Sequence, residues 1–467
     1  MTDIVIIGGG PAGYEPALVA AGLGANVTVV DRDGLGGSCV LTDCVPSKTL
    51  IASSDRVTRI RNAYRVGLFA GADRAEVDLG AVNARIKLLA QAQSDDIAGK
   101  LAAAGVTVLR GSGRFATAQP ARQHAVEVLA DSGEVTQTLL ADVVLIATGG
   151  TPRVLPTAVP DGERILSWRD LYDLAELPSH LVVIGSGVTG AEFASAYSEI
   201  GVPVTLVSSR DRVLPGEDPD AADVIEQVFT ASGGTLVKRA RAAGVRRDGE
   251  KVLVELVSGE FVEGSHALMC VGSVPNTRSL GLDHVGVHLD DHGYISVDRV
   301  SRTNVPSIYA AGDCTGVLLL ASVAGTQGRI AMWHALGEAV APLRLKTVAA
   351  NVFTNPQIAT VGIGYASLAS GEVPARTVTL PLAGNARAKM TADTDGFVKV
   401  FCRPATGVVI GATIVAPNAS ELIFPLAMAV QHQLTVNDVA ATIGVYPSLS
   451  GSVAEAARQL MHHDDLD

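Results

Sequence analysis

The sequence predicts an α/β chain with two doubly wound, parallel-sheet domains and a smaller α+β domain at the C-terminus. Two glycine clusters carry the first part. Gly8-Gly9-Gly10-Pro11-Ala12-Gly13 follows the apolar run Asp3-Ile4-Val5-Ile6-Ile7, and Gly185-Ser186-Gly187-Val188-Thr189-Gly190 follows His180-Leu181-Val182-Val183-Ile184. The third observation is that residues 346–467 mix strand and helix patterns without any such cluster.

In chain order, residues 3–7 read as a buried strand, 8–13 as a turn and 14–22 as a helix. Val27-Thr28-Val29-Val30 reads as a second strand ending at Asp31. This is a β-α-β unit with an acidic residue about 20 positions past the glycines. Pro16 breaks a local rule, because it removes a backbone bond inside the expected helix. Residues 49–105 read as helical, 106–109 as a strand, 115–140 as short alternating strands and 143–150 as a buried strand ending in a tight turn. Residues 151–156 read as a linker. The second unit repeats the first: a strand at 180–184, a helix at 191–200 and a strand at 203–207. Gly8 and Gly185 lie 177 positions apart, which marks a domain-level duplication and not a short-period repeat. Residues 308–313 form another strand ending in Gly312-Asp313. The tail carries strands at 396–401 and 408–415 and helices at 420–432 and 452–462.

The bulk numbers agree. A chain of 467 residues holds about three domains of roughly 150 residues. Hydrophobic residues make up 48% and aromatics only 4%, so aliphatic and alanine packing must build the cores. The net charge is -12 and no basic stripe stands out, which argues against a nucleic-acid partner. No apolar stretch approaches the roughly 20 residues needed to cross a bilayer. Met1 to Ile7 lacks a basic, signal-like region. Five cysteines in this length do not make a disulfide scaffold. A cytoplasmic enzyme is expected.

The glycine turns let backbone approach a pyrophosphate while the helix N-terminus supplies N–H donors and a positive dipole, so each unit reads as a Rossmann-like dinucleotide site. Asp31 is placed to accept from a ribose 2′-hydroxyl, as in FAD or NAD. The matching place in the second unit is Ser208-Ser209-Arg210-Asp211-Arg212. That strand ends without a carboxylate and with two arginines close by, a combination that admits a 2′-phosphate. NADPH is therefore expected to be accepted, with NADH also open.

Just past the first unit lies Gly36-Gly37-Ser38-Cys39-Val40-Leu41-Thr42-Asp43-Cys44-Val45-Pro46-Ser47-Lys48. Five positions along an ideal helix separate Cα atoms by roughly 8–9 Å. A disulfide needs about 4.4–6.8 Å. The segment must therefore be irregular if the two cysteines bridge. Pro46 suits a helix start, which puts Cys44 at a helix N-terminus, where the dipole and Lys48 favour a thiolate. Cys270 and Cys402 lie in apolar strands and read as core residues, and Cys314 reads as packing. None of the ten histidines sits in a ligand cluster, and His462-His463 beside the acidic tail read as solvated surface. No metal site is expected.

Taken together, these residues resemble the pyridine nucleotide-disulfide oxidoreductases, the family of lipoamide dehydrogenase and glutathione reductase. The resemblance rests on Gly8 to Gly13, Gly37 to Lys48, Ala147-Thr148-Gly149, Gly185 to Glu192, Gly272-Ser273-Val274-Pro275-Asn276, Gly312-Asp313, Phe353-Thr354-Asn355-Pro356 and Ala419-Ser420-Glu421-Leu422. It implies an FAD-binding domain in two pieces (1–152 and 276–345), an NAD(P)-binding domain at 153–275, and a dimerisation domain at 346–467 that makes a homodimer. FAD would be held by Gly8, Gly10, Gly13, Asp31, Gly37, Ser38, Lys48, Thr148, Gly149, Asp313 and Ala321. NAD(P)H would be held by Gly185, Gly187, Gly190, Ser208, Arg210 and Gly272. Lys48 would sit near the flavin and pair with Glu192. Cys44 would face the flavin and Cys39 would exchange with a substrate disulfide.

One segment departs from that pattern. Relatives that reduce disulfides carry a His-Pro followed by a Glu, and the His moves the proton in thiol exchange. Here the segment is Val445-Tyr446-Pro447-Ser448-Leu449-Ser450-Gly451. Tyr446 stands for the His and Gly451 for the Glu. A tyrosine with an ordinary pKa near 10 is a poor proton shuttle at neutral pH. Loss of a general acid–base group costs roughly 10²–10⁴-fold. The pattern is similar to a branch that acts as NAD(P)H:quinone reductases. Reduction of a disulfide, as by dihydrolipoamide dehydrogenase, stays open because both cysteines are kept. Lys48, Glu192 and Asp313 argue against a non-catalytic nucleotide sensor.

Overall fold

The computed structural model describes residues 1–68 and 76–461, so His462, His463 and the end of the helix expected at 452–462 lie outside the described residues. Two units emerge. The first comprises Met1–Ser47, Asn83–Arg153 and Gly272–Leu343; the second comprises Lys48–Val82, Val154–Val271 and Arg344–Asp467.

The first unit is built on a five-stranded sheet in the order Ile308–Ala310, Val143–Ile146, Asp3–Ile7, Asn26–Asp31, Thr107–Arg110. All of its pairings are parallel. Its strands are apolar almost throughout because both faces are covered. Ile4, Ile6, Val27, Val29 and Leu145 pack with Ala17, Ala20 and Leu101 of the helices. Val5, Ile7, Val30, Val144 and Ile146 point the other way, onto Phe115, Val126 and Val128 of a three-stranded antiparallel sheet. The period of two in side-chain direction thus divides one hydrophobic run between two cores.

The segment read as a linker contains a strand. Gly150–Pro152 pairs antiparallel with Ser273–Pro275. Sequence reading missed it because three residues with a proline carry no alternation to detect.

Pro16 lies inside the helix Pro11–Gly22 and is buried. Lacking an N–H, it leaves the carbonyl of Ala12, four residues back, without its helical donor. The structure supplies the missing reason for tolerance. The helix Ala321–Ala335 crosses at this spot, and a Cβ on its Gly328 would lie 2.7 Å from Pro16 Cγ and 2.8 Å from the Ala12 carbonyl oxygen. One turn earlier, a Cβ on Gly325 would lie 2.6 Å from the Glu15 carboxylate, which pairs with Arg329 of the same helix. Only glycine lets the two helices approach this closely.

The second unit repeats the parallel sheet in the order Thr235–Val237, Val204–Val207, Leu181–Ile184, His266–Met269, Ile165–Ser167. Val182, Ile184, Val207 and Met269 pack onto Val252 and Val254 of an antiparallel sheet. Residues from Arg344 onward form a five-stranded antiparallel sheet, Ala349–Val352, Gln357–Gly362, Val409–Ala416, Phe397–Cys402, Arg376–Pro381, backed by helices that contribute Leu426, Ala429 and Ala456. Lys399 on this sheet is buried and contacts Asp218 at 2.7 and 2.8 Å and Asp220 at 2.6 Å. Asp218 also caps the helix Pro219–Ala231 by accepting from the Asp220 N–H. No described helix is long and apolar enough to cross a membrane.

The crossing at Gly328 leaves no room for a methyl group. Gly328→Ala is expected to cost about 1–3 kcal/mol, the usual range for overpacking, read as a lower urea midpoint at unchanged slope. An unaltered midpoint would show that the two helices have slack.

Candidate functional site

The two glycine turns have the same geometry. In the first, Gly8 has φ 110° and a Cβ there would lie 2.2 Å from the Ala147 carbonyl oxygen; a Cβ on Gly13 would lie 1.9 Å from the Gly8 carbonyl oxygen. In the second, Gly185 has φ 108°, and the corresponding contacts are 2.2 Å to the Cys270 oxygen and, from Gly190, 1.8 Å to the Gly185 oxygen. These contacts exclude every side chain and pull each helix start against the end of its strand. The helices begin behind extended Gly10 (φ -69°, ψ -174°) and Gly187 (φ -73°, ψ -172°), with no side-chain cap on either. A Cβ on Gly187 would meet nothing within 4 Å, and on Gly10 its nearest neighbour would be 3.9 Å away. Each unit therefore offers uncapped helical N–H groups beneath an open face. That arrangement fits the diphosphate of a dinucleotide.

In the first unit the remaining residues expected to hold FAD gather around this turn. Asp31, at the end of its strand, accepts from the Gly9 N–H at 2.6 Å through one oxygen. Through the other it accepts from Gly34 at 2.6 Å and Asp33 at 3.0 Å. The carboxylate braces the glycine turn, and its oxygens keep lone pairs for a ribose hydroxyl. Gly37 and Ser38 begin the helix Gly37–Leu41, and Gly37 passes so near Gly10 that a Cβ would lie 2.9 Å from the Gly10 Cα. Thr148 and Asn276 exchange hydrogen bonds: Thr148 Oγ1 donates to the Asn276 carbonyl at 2.8 Å, and Asn276 Nδ2 donates to the Thr148 carbonyl at 2.9 Å. Asn276 N–H also donates to the Gly149 carbonyl, and Arg153 N–H to that of Gly272. Asp313 follows Gly312, whose N–H is held by the buried Gln327 at 2.9 Å. Burial pushes the Asp313 carboxyl up to about 6, and the charge of Asp43 adds to the rise. Ala321 is the first residue of its helix.

The cysteine segment is irregular, as the spacing requires for a bridge. Cys39 lies in the helix Gly37–Leu41, the chain breaks helical geometry at Thr42, and a new helix, Cys44–Arg61, starts at Cys44 with Pro46 in its first turn. Both cysteines are half-buried. Tyr14 stands near Cys39: burial raises its hydroxyl pKa, and the charges of Glu15 and Cys39 add to that. Cys314 is fully buried, its thiol pushed up to about 11, and it donates to the Ala311 carbonyl. Among the described residues no cluster of three or more His, Cys, Asp or Glu could hold a metal ion.

In the second unit the structure brings Lys48 and Glu192 together. Lys48 Nζ lies 2.8 Å from Glu192 Oε2, and the glutamate is buried. Glu192 Oε1 accepts from the Phe353 N–H at 2.8 Å, and the Phe353 ring lies under Lys48 Nζ with its centroid at 5.2 Å. Sequence reading noted Phe353-Thr354-Asn355-Pro356 as a motif but gave it no role. A backbone donor leaves no trace in residue type. Ser208 is buried and bonded through its hydroxyl to that of Ser186, inside the glycine turn, at 2.7 Å. Of the two arginines, Arg212 is engaged by Asp223 at 2.9 Å. Arg210 is exposed and makes no ion pair among the described residues. Tyr446 is 85% exposed, and Gly451 opens the final helix, its N–H donating to Ser448 Oγ.

Two parallel sheets, each ending in an open glycine turn, and a lysine paired with a buried glutamate fit a class of enzyme that holds two dinucleotides. This chain belongs to the pyridine nucleotide-disulphide oxidoreductases. The family's sequence pattern matches residues 2–328, and its dimerisation domain matches residues 348–457. The chain is 58% identical to an NAD(P)H dehydrogenase (quinone) of Mycobacterium tuberculosis, over all of this chain and 95% of that protein. It is 34% identical to a dihydrolipoyl dehydrogenase of Geobacillus stearothermophilus, over 98% of this chain and 95% of that one. A crystal structure of LpdA from Mycobacterium tuberculosis superposes with a TM-score of 0.95 at 57% identity, covering 99% of this chain and 100% of the other. The flavoprotein disulfide reductase RclA from Escherichia coli superposes with a TM-score of 0.85 at 25% identity, covering 98% and 99%.

The open face above Gly187 separates binding from folding. Gly187→Val introduces no clash and needs no unusual backbone angle, so its melting temperature should stay within a degree or so of wild type. Pyridine nucleotide binding, followed by fluorescence titration, should fall at least 10-fold as the side chain fills the diphosphate position. Undiminished binding would place the nucleotide elsewhere.

Proposed function

We propose that the chain is an FAD-dependent NAD(P)H dehydrogenase that passes electrons to a quinone-type acceptor. The observation that carries this reading is an intact hydride-transfer apparatus beside a missing proton shuttle. Lys48 and Glu192 are paired and clamped by the Phe353 N–H, whereas Tyr446 and Gly451 occupy the places of the His and Glu used in thiol exchange. The named function of the Mycobacterium tuberculosis relative supports it.

When bound, FAD accepts a hydride from NAD(P)H and hands two electrons to the acceptor. The balance is NAD(P)H, a proton and a quinone giving NAD(P)⁺ and a hydroquinone. The chain's own part is to bind and orient. Gly8, Gly10, Gly13, Asp31, Gly37, Ser38, Thr148, Gly149, Asp313 and Ala321 would hold FAD; Gly185, Gly187, Gly190, Ser208, Arg210 and Gly272 would hold the pyridine nucleotide. Lys48 would present its ammonium to the flavin, and Glu192 fixes where that ammonium sits. The serine pair at Ser186 and Ser208 leaves no carboxylate to repel a 2′-phosphate, and Arg210 is available to bind one.

This reading makes the enzyme a cytoplasmic homodimer. In its support, the dimerisation-domain match spans residues 348–457, and Ile443 (98%), Val445 (76%) and Phe424 (66%) expose apolar surface there. The second reading, a disulfide reductase of dihydrolipoamide dehydrogenase type, is favoured by one feature. The helix break between Cys39 and Cys44 removes the spacing that a continuous helix would impose.

Steady-state turnover with a menadione-like quinone and with lipoamide separates the two. Quinone turnover should dominate, and Cys44→Ser should leave it within about twofold, because no thiol lies on the path. Lipoamide turnover that equals it, or quinone turnover abolished by Cys44→Ser, overturns the quinone reading.

Arg210→Ala should raise KM for NADPH roughly 10-fold, the usual effect of losing one charged hydrogen bond, and leave NADH unchanged. Equal effects on both nucleotides would remove Arg210 from 2′-phosphate recognition.

A further inference from the structure

The helix Val188–Glu199 carries a polar face that extends beyond Glu192. Glu192, Ser195 and Glu199 are spaced by three and four residues and so lie in one row. Glu192 Oε1 accepts from the Phe353 N–H at 2.8 Å. Ser195 Oγ accepts from the Asn355 N–H at 3.2 Å and donates to Glu199 Oε1 at 3.0 Å. The row thus straps the segment 353–355 at two points. The helix Cys44–Arg61 faces it from the other side. Lys48 pairs with Glu192, the Ser54 and Thr58 hydroxyls and the Asp55 carboxylate lie around Glu199, and Arg61 donates to the Glu199 carbonyl at 2.7 Å. Glu199 Oε2 is buried with no hydrogen-bond partner among the described residues.

We propose that Glu199 is a positioning residue for hydride transfer: through Ser195 and the 353–355 strap it sets how firmly Glu192, and with it Lys48, is held. The inference rests on the reading of the Lys48–Glu192 pair given above. A neutral carboxylic acid suits a dry seam, since an isolated charge there pays a large desolvation cost. Burial pushes the Glu199 pKa up to about 7; the Ser54, Ser195 and Thr58 hydroxyls hold it back, and the charge of Asp55 adds to the rise. When the proton leaves to solvent, the carboxylate needs donors. It draws in water and pulls Ser195 Oγ, which already donates to it, away from the Asn355 N–H, which slackens that bond and the strap that orients Glu192.

The direction with pH follows. The folded pKa lies above the ordinary carboxylate value. The contribution of Glu199 to stability is therefore full below about pH 5, falls as pH rises towards 7, and is lost above it. Hydride transfer slows over the same range, by roughly 10-fold, well short of the loss a full 1 Å displacement can cause.

The test uses the FAD-loaded full chain as wild type, Glu199→Gln and Ser195→Ala. Melting temperature and the anaerobic rate at which NADH bleaches the flavin are each followed across this pH range. In wild type both should inflect near pH 7. Glu199→Gln should flatten both. Ser195→Ala should keep the inflection in melting temperature, because Glu199 still titrates, and lose it in the bleaching rate. A rate inflection that survives in Glu199→Gln or Ser195→Ala overturns the proposal, as does a wild-type rate indifferent to pH. A wild-type flavin that NADH never bleaches overturns the functional reading itself and the inference with it. Should Glu199→Gln fail to fold, the wild-type and Ser195→Ala profiles still decide.

Discussion

Both nucleotide turns depend on one backbone contact that no side chain permits. The third glycine of each cluster presses its Cα against the carbonyl of the first, and the first presses against the carbonyl that ends a neighbouring strand, Ala147 in one unit and Cys270 in the other. This fixes the helix start at the strand end and leaves uncapped N–H groups open at the place proposed for a diphosphate. The middle glycines, Gly10 and Gly187, have no such constraint from the protein. The proposed nucleotide sites give a reason for their lack of a side chain. Of the three glycine positions that the two clusters share, two serve the fold and one leaves an open face.

Much of this was legible in the sequence, because two periodicities and two glycine clusters carry it. The apolar runs at 3–7 and 181–184 announce buried strands, and the structure divides the alternate residues of the first between two cores. A bridge between Cys39 and Cys44 would demand an irregular segment, and the helix there breaks at Thr42. What escaped were features that live in backbone or in tertiary contact. The strand Gly150–Pro152 is too short to show a period. The Phe353 N–H is a property of every residue but proline. Pro16 looked like an unexplained defect because its partner, Gly328, lies 312 positions along the chain.

The buried charges of the second unit are organised by the same principle as its turns, namely that each is satisfied from more than one element. Lys399 is enclosed by Asp218 and Asp220 and lies over the rings of Tyr365 and Phe397. Glu192 is satisfied by Lys48 on one oxygen and by the Phe353 N–H on the other. Removing one member of such a set leaves the remainder buried and uncompensated, a loss of about 3–5 kcal/mol in comparable sites. Glu199 differs from these, a buried carboxyl with one oxygen unsatisfied among the described residues. On the proposal above, it tolerates that by holding its proton.

The electrostatics around the cysteine pair bear on where electrons leave. Cys44 heads a helix, and a helix N-terminus favours a thiolate. Asp43 directly precedes that helix, however, and offers the same field a carboxylate to neutralise. Its charge already reaches Asp313, whose carboxyl it helps lift to about 6. A thiolate forming at Cys44 would add negative charge beside Asp43, and like charges disfavour one another's ionised forms. On the neighbouring cysteine, the interaction between Cys39 and Tyr14 raises the tyrosine pKa, again a sign of crowded negative charge. The charge of Asp43 thus works against the pull of the helix start and of Lys48 at Cys44, and the segment where related disulfide reductases carry His and Glu carries Tyr446 and Gly451 here. The replaced His and Glu favour an acceptor that takes electrons from the flavin without thiol chemistry.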